Sequence, residues 1–152
     1  MNNFKFGSII VIFFIIFSFN CKQAFASNWI FFASDSVYGN QYFYDSDSIK
    51  YITSNIIEVN YKELYSESGK NSYISILKSH DLSTYGYDLL LYTIVYVKLD
   101  LKNNLIMILS FTDYNKNGDI LFLDSIDNPN WDYVQEGTIG RLLIESIKSN
   151  QK

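Results

Sequence analysis

The sequence predicts an α+β fold, in which an antiparallel sheet of about six strands packs against one C-terminal α-helix. Three observations lead to this prediction. Short apolar segments alternate with polar residues along most of the chain, a long hairpin lies at its centre, and the last segment has helical periodicity. The length of 152 residues leaves room for one domain.

The clearest early strand is the segment 55–65 (NIIEVNYKELY). Ile57, Val59 and Tyr61 fall on one face, and the polar residues between them fall on the other. This period of two is typical of a half-buried antiparallel strand. Two shorter apolar runs are also predicted as strands, 28–33 and 41–45.

A long hairpin is predicted from residues 92–101 and 105–114, with its turn at 102–104. Its second strand is apolar on both faces. One face carries Leu105, Met107, Leu109 and Phe111, and the other carries Ile106 and Ile108. A strand that is apolar on both sides needs a cover on each side.

The second apolar face of this hairpin therefore predicts a covering element. Ile94, Ile106 and Ile108 are expected to lie on it. Two covers fit the sequence: the segment 72–91, or a second copy of the chain, which makes the protein a homodimer.

The segment before the hairpin is less definite. Residues 66–71 (SESGKN) are predicted to form a polar loop, and residues 72–91 fit helical and extended structures equally well. The only histidine of the chain, His80, lies here. We expect it at the surface rather than in a catalytic site, because no partner motif accompanies it.

The chain is predicted to end in an amphipathic helix at 138–149. Thr138 is a suitable N-cap, and Glu145 is expected to pair with Lys148 one turn later. The apolar stripe that packs on the sheet consists of Ile139, Leu142, Leu143, Ser146 and Ile147.

Residues 1–26 are predicted to be a signal peptide. The apolar run SIIVIFFIIFSF is too short to span a bilayer comfortably, and Ala24-Phe25-Ala26 places small residues where signal peptidase cleaves. The mature chain then begins at Ser27, forms a single domain at 27–152 and has no transmembrane segment. Export leads to the periplasm, the outer-membrane surface or the extracellular space.

Cys21 leaves one alternative open, which is a lipid anchor. Ser18 and Asn20 occupy the positions where lipid attachment prefers an aliphatic and a small residue. If Cys21 is removed with the signal peptide, the mature domain has no cysteine and is disulfide-free.

Charge and aromatic content limit the function classes. Cleavage removes two lysines, so 10 basic residues remain against 16 acidic ones, a net charge of −6. A nucleic-acid partner is excluded, since it needs a basic face. The 13 Tyr and 12 Phe residues fit an exposed aromatic interface, but a general compositional drift explains them as well.

The stretch 113–124 (DYNKNGDILFLD) has two interpretations. It has the spacing of a calcium loop, with Asp113, Asn115 and Asn117 as ligands, Gly118 at the turn and Asp124 at the twelfth place. However, the flanking segments lack helical periodicity, and Asn-Gly between apolar runs is a strong hairpin signal. We therefore predict a β-hairpin and no metal site.

No catalytic or cofactor-binding residues are predicted. Asp45 and Asp47 could form a pair of carboxylates for acid–base chemistry. A corner between strands explains them better, with Asp and Ser side chains bonded to local backbone amides. The sequence therefore predicts no enzyme, no cofactor and no metal.

Several short motifs resemble those of one family. Trp29 lies near the start of the mature chain, an aromatic-Asp-x-x-Ser-Ile corner follows at 44–49 (YDSDSI), and WDYVxxGTIG at 131–140 leads into the last helix. Together with the central hairpin, these motifs resemble the surface-adhesin protein E family of exported bacterial domains. The resemblance covers essentially the whole mature chain.

The resemblance implies a small antiparallel sheet with one packed helix and, for the adhesin itself, dimerisation and attachment to host matrix proteins. Many members carry two cysteines that tie helix to sheet. Leu101 and about Lys148 occupy those places here, and Glu136 stands where proline is usual. The matching motifs are fold signatures, so no binding residues follow from them.

The function expected from the sequence is thus a non-enzymatic, exported binding or adhesion module with a protein partner, with host extracellular matrix proteins as candidates. The alternative is a periplasmic accessory or small-ligand-binding protein of the same fold that has no host target.

Overall fold

The computed structural model describes residues 27–150. The predicted signal peptide and Cys21 lie outside the described residues. The strands are β1 (Trp29–Ser34), β2 (Gln41–Asp45), β3 (Lys50–Tyr51), β4 (Ile56–Leu64), β5 (Leu90–Asp100), β6 (Leu105–Asn115), β7 (Ile120–Ser125) and β8 (Asp132–Tyr133). The helices are α1 (Glu67–Ser79) and α2 (Ile139–Asn150), with single 3-10 turns at Ser46–Ser48 and Tyr87–Leu89.

All strands belong to one antiparallel sheet. Its main order is β1-β2-β4-β5-β6-β7, while β3 pairs with β4 and β8 pairs with β6. The predicted α+β class, the antiparallel sheet and the C-terminal helix are confirmed. The prediction of a single helix is wrong, because α1 is a second one. Among the described residues, neither helix has the length and hydropathy needed to span a bilayer.

The C-terminal helix packs its apolar side on the centre of the sheet. Leu143, Ile144 and Ile147 are fully buried in the main core with Val97 and Leu99 of β5. The predicted stripe omitted Ile144, so the buried side of the helix is turned from the expected one. Such burial of three aliphatic side chains contributes roughly 1.5–3 kcal/mol per side chain.

The polar side of α2 also differs from the prediction. Thr138 accepts a hydrogen bond from the Arg141 N–H at 3.4 Å, as an N-cap does. Glu145 binds the Arg141 guanidinium at 2.6 Å, whereas the Lys148 ammonium donates to Asn104 at 3.3 Å. The predicted pair of Glu145 and Lys148 is therefore wrong, because Arg141 lies one turn earlier on the same side of the helix.

The helix α1 begins inside the predicted polar loop 66–71. Ser66 is its N-cap and accepts a hydrogen bond from the Gly69 N–H at 3.0 Å. The buried Asn40 side chain lies against Gly69 so closely that a Cβ there would be 1.9 Å from Asn40 Oδ1. The loop prediction is wrong because serine, glycine and asparagine favour a helix only when capping and tertiary contacts support them.

The central hairpin is confirmed, but a β-bulge changes which residues share a face. Tyr96 pairs with Ser110 and Val97 pairs with Ile108, so Leu109 is the extra residue. As a result, Phe111 lies on the helix side of the sheet, while Leu105 and Met107 lie on the opposite side.

The prediction for the second face is correspondingly wrong in part. Ile106 packs against the main core below α2. Ile108 pairs with buried Val97 and is on the helix side too, although it remains 42% exposed. Only Ile94, which pairs with Lys62 and Thr112, lies on the far side of the sheet.

Both helices cover the same side of the sheet. Tyr73 of α1 donates to Asp113 at 3.2 Å, and Asp113 pairs with Thr93, two residues from the core residue Val95 on the same strand face. The segment 72–91 therefore does not cover Ile94, contrary to the first of the two predicted covers. In the described chain, the other side of the sheet is left without a covering layer.

Candidate functional site

The candidate site is the side of the sheet that neither helix covers, which we call the open face. The aromatic and aliphatic side chains that matter most for its chemistry come from five strands. They are Trp29, Phe31, Phe43, Tyr92, Ile94, Tyr114 and Leu123, with Lys62 in their midst and Tyr96, Glu58, Lys98 and Lys50 towards one end. None of these apolar side chains is fully buried.

Strand register brings these residues together from distant parts of the sequence. Phe31 pairs with Phe43, Phe43 with Lys62, and Lys62 with Ile94. Neighbouring positions in a sheet point to the same side, so one cross-strand row presents all four side chains.

Aromatic contacts order the middle of the open face. The rings of Phe31 and Phe43 meet edge to face at 5.6 Å between centroids. Tyr92 stacks on Tyr114 at 4.9 Å. Such pairs contribute about 0.5–1.5 kcal/mol beyond the area they bury, and they hold the rings in defined positions at the surface.

Lys62 lies at the centre of this aromatic group. Its ammonium is 4.3 Å from the centroid of the Trp29 ring, 5.2 Å from that of Phe43 and 5.8 Å from that of Tyr92. These are cation–π distances. Burial among the rings lowers the pKa of Lys62 below its ordinary value, and Asp45 acts in the opposite direction.

The other end of the open face carries a charged cluster. Glu58 accepts a hydrogen bond from the Tyr96 hydroxyl at 2.5 Å and lies 3.2 Å from Lys98 and 3.7 Å from Lys50. The Tyr96 hydrogen bond and the two lysines lower the pKa of the Glu58 carboxyl, although desolvation opposes this. The same hydrogen bond raises the pKa of Tyr96 to about 12.

This arrangement gives the open face a binding surface of mixed chemistry. Its middle offers flat rings and one cation, and its end offers a carboxylate already neutralised by two lysines. Within residues 27–150, no carboxylate lies at salt-bridge distance from the Lys62 ammonium. The Lys62 ammonium at the centre of the surface therefore has no direct ion pair, and Asp45 acts on it only from beyond salt-bridge distance.

The calcium-loop residues form the predicted hairpin. Gly118 has φ +86° at the turn between β6 and β7, and Asn115 Oδ1 accepts from the N–H groups of Asn117 and Asp119 at 2.8 and 2.9 Å. Asp124 lies on β7 opposite Phe111.

Asp113 has no contact with that turn. Its side chain is 0% exposed and accepts hydrogen bonds from Thr93 at 2.5 Å, Tyr87 at 2.8 Å and Tyr73 at 3.2 Å. These three hydroxyls belong to β5, to the 3-10 turn Tyr87–Leu89 and to α1, and none of them belongs to the turn between β6 and β7.

The other residues considered for chemistry have structural roles. Asp45 Oδ1 accepts from the N–H groups of Asn28 and Asp47, both at 3.1 Å, and so builds the corner after β2. The predicted corner is confirmed. His80 is the exposed C-cap of α1, where its N–H bonds to the Leu77 carbonyl at 3.1 Å, and the prediction of a surface position is confirmed as well.

The chain matches no known protein-family model and no curated protein sequence.

Proposed function

We propose that the protein is an exported, non-enzymatic binding module that attaches to a protein partner through its open face. The observation that carries this proposal is a continuous aromatic and aliphatic surface that neither helix covers. Exposed apolar patches with polar surroundings are characteristic of interaction sites, and Tyr, Trp and Phe are enriched at their centres.

The positive charge of Lys62 at the centre of the open face indicates the chemistry of the partner. Lys62 has rings around it and, among the described residues, no carboxylate at salt-bridge distance. A partner that presents an acidic side chain within an apolar patch would pair with Lys62 while it covers Trp29, Phe43 and Tyr92. Such a pair directs orientation and excludes partners that carry a positive charge there.

A second copy of the chain fits this surface less well. In a symmetric dimer both molecules use the same patch. A two-fold axis through the middle of the open face would bring Lys62 close to the same residue of the other copy, which like-charge repulsion opposes. The proposal therefore favours a different protein, and a homodimer is the competing outcome.

The family resemblance supports host extracellular matrix proteins as candidate partners. Leu101 is buried in the core below α2, and Lys148 near the end of α2 donates to Asn104 in the turn that follows Leu101. The two positions that correspond to the family's cysteines thus lie in neighbouring parts of the fold. Export, with a location in the periplasm, at the outer-membrane surface or outside the cell, is part of the same proposal.

The test is binding of the mature domain to a panel of immobilised, purified matrix proteins by surface plasmon resonance. Lys62→Glu should weaken the interaction about tenfold or more, because it places like charges opposite each other. Lys78→Glu is the matched control, since Lys78 is exposed on α1, on the covered side of the sheet. It should leave affinity unchanged.

Two results contradict the proposal. One is the absence of binding to every matrix protein of the panel, and the other is equal loss in both variants. Sedimentation velocity at the same concentrations detects a homodimer. A dimer that Lys62→Glu dissociates would mean that the open face binds a second copy of the chain rather than a different protein.

A further inference from the structure

A separate cleft lies on the covered side of the sheet, between α1 and the ends of β2 and β4. Its volume is about 390 Å³. The residues that matter for its chemistry are Tyr38, Tyr42, Glu63, Tyr65, Ser72 and Tyr73. We call it the tyrosine cleft. None of the described side chains that line it is basic.

Asn40 builds the floor of the tyrosine cleft. It donates through Nδ2 to Glu63 Oε1 at 2.8 Å and accepts at Oδ1 from the Ser66 N–H at 3.0 Å. Because Gly69 has no side chain, Asn40 fits directly beneath the first turn of α1. These contacts fix Glu63 relative to α1.

Among the described residues that line the tyrosine cleft, Glu63 is the carboxylate with one oxygen that has no hydrogen bond. Its Oε1 accepts from both Asn40 and the Tyr42 hydroxyl, the latter at 2.9 Å. Its Oε2 has no hydrogen-bond partner in residues 27–150. No buried side-chain nitrogen or oxygen of the non-exposed residues lacks a partner, so Oε2 is accessible to solvent, and Glu63 lines the cleft.

The surroundings of Glu63 disfavour the ionised form of its carboxyl group. Burial raises the pKa of its carboxyl above the ordinary value of 4.5, although the hydrogen bonds from Tyr42 and Asn40 act against this shift. Asp35 at the rim adds a second negative charge, and its own carboxylate is held by four backbone N–H groups of the loop 37–40. A cation in the cleft would relieve this unfavourable electrostatic balance.

The tyrosine rings favour an organic cation over an inorganic one. Tyr65 stacks on Tyr73 at 5.5 Å between centroids, and both line the cleft. Ring faces attract ammonium groups and cover alkyl chains. Inorganic cations, by contrast, need several oxygen ligands, and Glu63 offers one free oxygen.

We propose that the tyrosine cleft binds a small organic cation of the alkylammonium class, with the ammonium at Glu63 Oε2 and the alkyl chain against the tyrosine rings. This site is independent of the open face, since it lies on the other side of the sheet. The proposal adds a small-molecule ligand to a module whose protein partner binds elsewhere.

The test is an NMR titration of the ¹⁵N-labelled mature domain with n-butylammonium chloride, and with n-butanol as the neutral probe of similar shape. Butylammonium should give saturable shifts at the amides of Tyr38, Ser66 and Gly69, and butanol should not. Glu63→Gln should weaken binding about tenfold or more. The amide oxygen can still accept from Asn40 and Tyr42, so this variant should keep its fold.

A second variant tests the position of the ligand without changing the charge. Ser72→Phe places a ring into the tyrosine cleft and should abolish the shifts, whereas Glu136→Gln, an exposed carboxylate on a distant turn, should leave them unchanged. The proposal is overturned if no saturable binding occurs, if butanol binds equally, or if Glu63→Gln binds with unchanged affinity.

Discussion

Glu63 is a residue whose ionised form opposes folding. Its carboxyl has a raised pKa in the folded protein because burial removes water from it. A raised acid pKa means that the folded state holds the proton more tightly than the unfolded state. Glu63 therefore contributes its full stabilisation of the folded state below the pKa of the unfolded chain. This stabilisation is lost as the pH rises through the pKa of the folded protein.

The first prediction follows from this sign. Glu63→Gln should raise the melting temperature at pH 7 by an amount on the order of a few degrees, since the amide keeps both hydrogen bonds and removes the charge. Below about pH 4, where the unfolded carboxyl is protonated as well, the difference from the wild type should disappear. Calorimetry at both pH values measures this difference in melting temperature. A lower melting temperature at pH 7 would show that the charge stabilises the fold.

At Gly69, the absence of a side chain stabilises the packing of helix α1. In an isolated helix, alanine is favoured over glycine by about 1 kcal/mol. At this position, a Cβ would lie 1.9 Å from Asn40 Oδ1.

The second prediction is that Gly69→Ala destabilises the domain by about 1–3 kcal/mol, because Asn40 must move and give up its bonds to Glu63 and Ser66. Urea unfolding monitored by circular dichroism measures the change. Asn71→Ala, at an exposed position of the same helix, is the control and should be neutral or slightly stabilising. A stabilising Gly69→Ala would mean that α1 does not dock on Asn40.

At the scale of elements, the two helices differ in how far the sequence predicts them. The C-terminal helix has a strong apolar stripe and an N-cap, so its bounds at 139–150 agree closely with the predicted 138–149. The predicted stripe is turned to one side because Leu142 and Ile144 flank Leu143 on opposite sides, and the apolar pattern fits burial of either one. Only packing on β5 decides that Ile144 is fully buried.

The first helix is only partly predicted, since the sequence indicates a loop at 66–71 and leaves helical and extended structure equally open from residue 72. Its first turn contains Ser68 and Gly69, which have modest and poor helix propensity. The Ser66 cap was the available signal. The tertiary contacts that complete it, through Asn40 and Tyr73, come from residues far apart in the sequence.

β-Bulges also limit how far the sequence predicts which residues share a face of the sheet. Alternation along β6 places Leu105 and Phe111 on one side, but the extra residue at Leu109 separates them. The periodic pattern contains no sign of such an insertion, since both sides of this strand are apolar.

The third prediction concerns the docking of α2. Leu143→Ala should cost roughly 2–5 kcal/mol of unfolding free energy, because a fully buried side chain leaves a cavity between helix and sheet. Ile144→Ala should have a comparable effect, although the sequence pattern did not assign it to the core. Leu142→Ala, at a half-buried position, should cost less. Denaturant unfolding of the three variants tests this, and equal small losses would contradict the described orientation of α2.

The fourth prediction concerns the hairpin between β6 and β7. Adding millimolar calcium should leave the melting temperature unchanged, because Asp113 is engaged by Thr93, Tyr87 and Tyr73 and does not face the turn. A bound ligand at a hundredfold excess over its Kd would add about 2.7 kcal/mol. A clear upward shift that Asp113→Ala abolishes would restore the calcium interpretation.

At the scale of the whole molecule, the open face results from placing both helices on one side of a single sheet. The sequence already placed Lys62 and Glu58 on the polar side of β4. It could not show that Trp29, Phe43 and Tyr92 surround Lys62, because this depends on the strand order β1-β2-β4-β5. The abundant aromatic residues, which composition alone left ambiguous, are in part arranged on this surface.

We expect the open face to be exposed in the free protein and buried in the complex with a partner protein. Hydroxyl-radical footprinting by mass spectrometry measures this directly, in the mature domain alone and bound to the matrix protein of highest affinity. Phe31, which is 53% exposed, and Tyr92 and Tyr114 should be oxidised in the free monomer and protected in the complex. Tyr85, which is 94% exposed beside α1, should be oxidised equally in both. Protection of Phe31, Tyr92 and Tyr114 in the free monomer, or unchanged oxidation of all three in the complex, would show that the open face is not the surface that binds the partner.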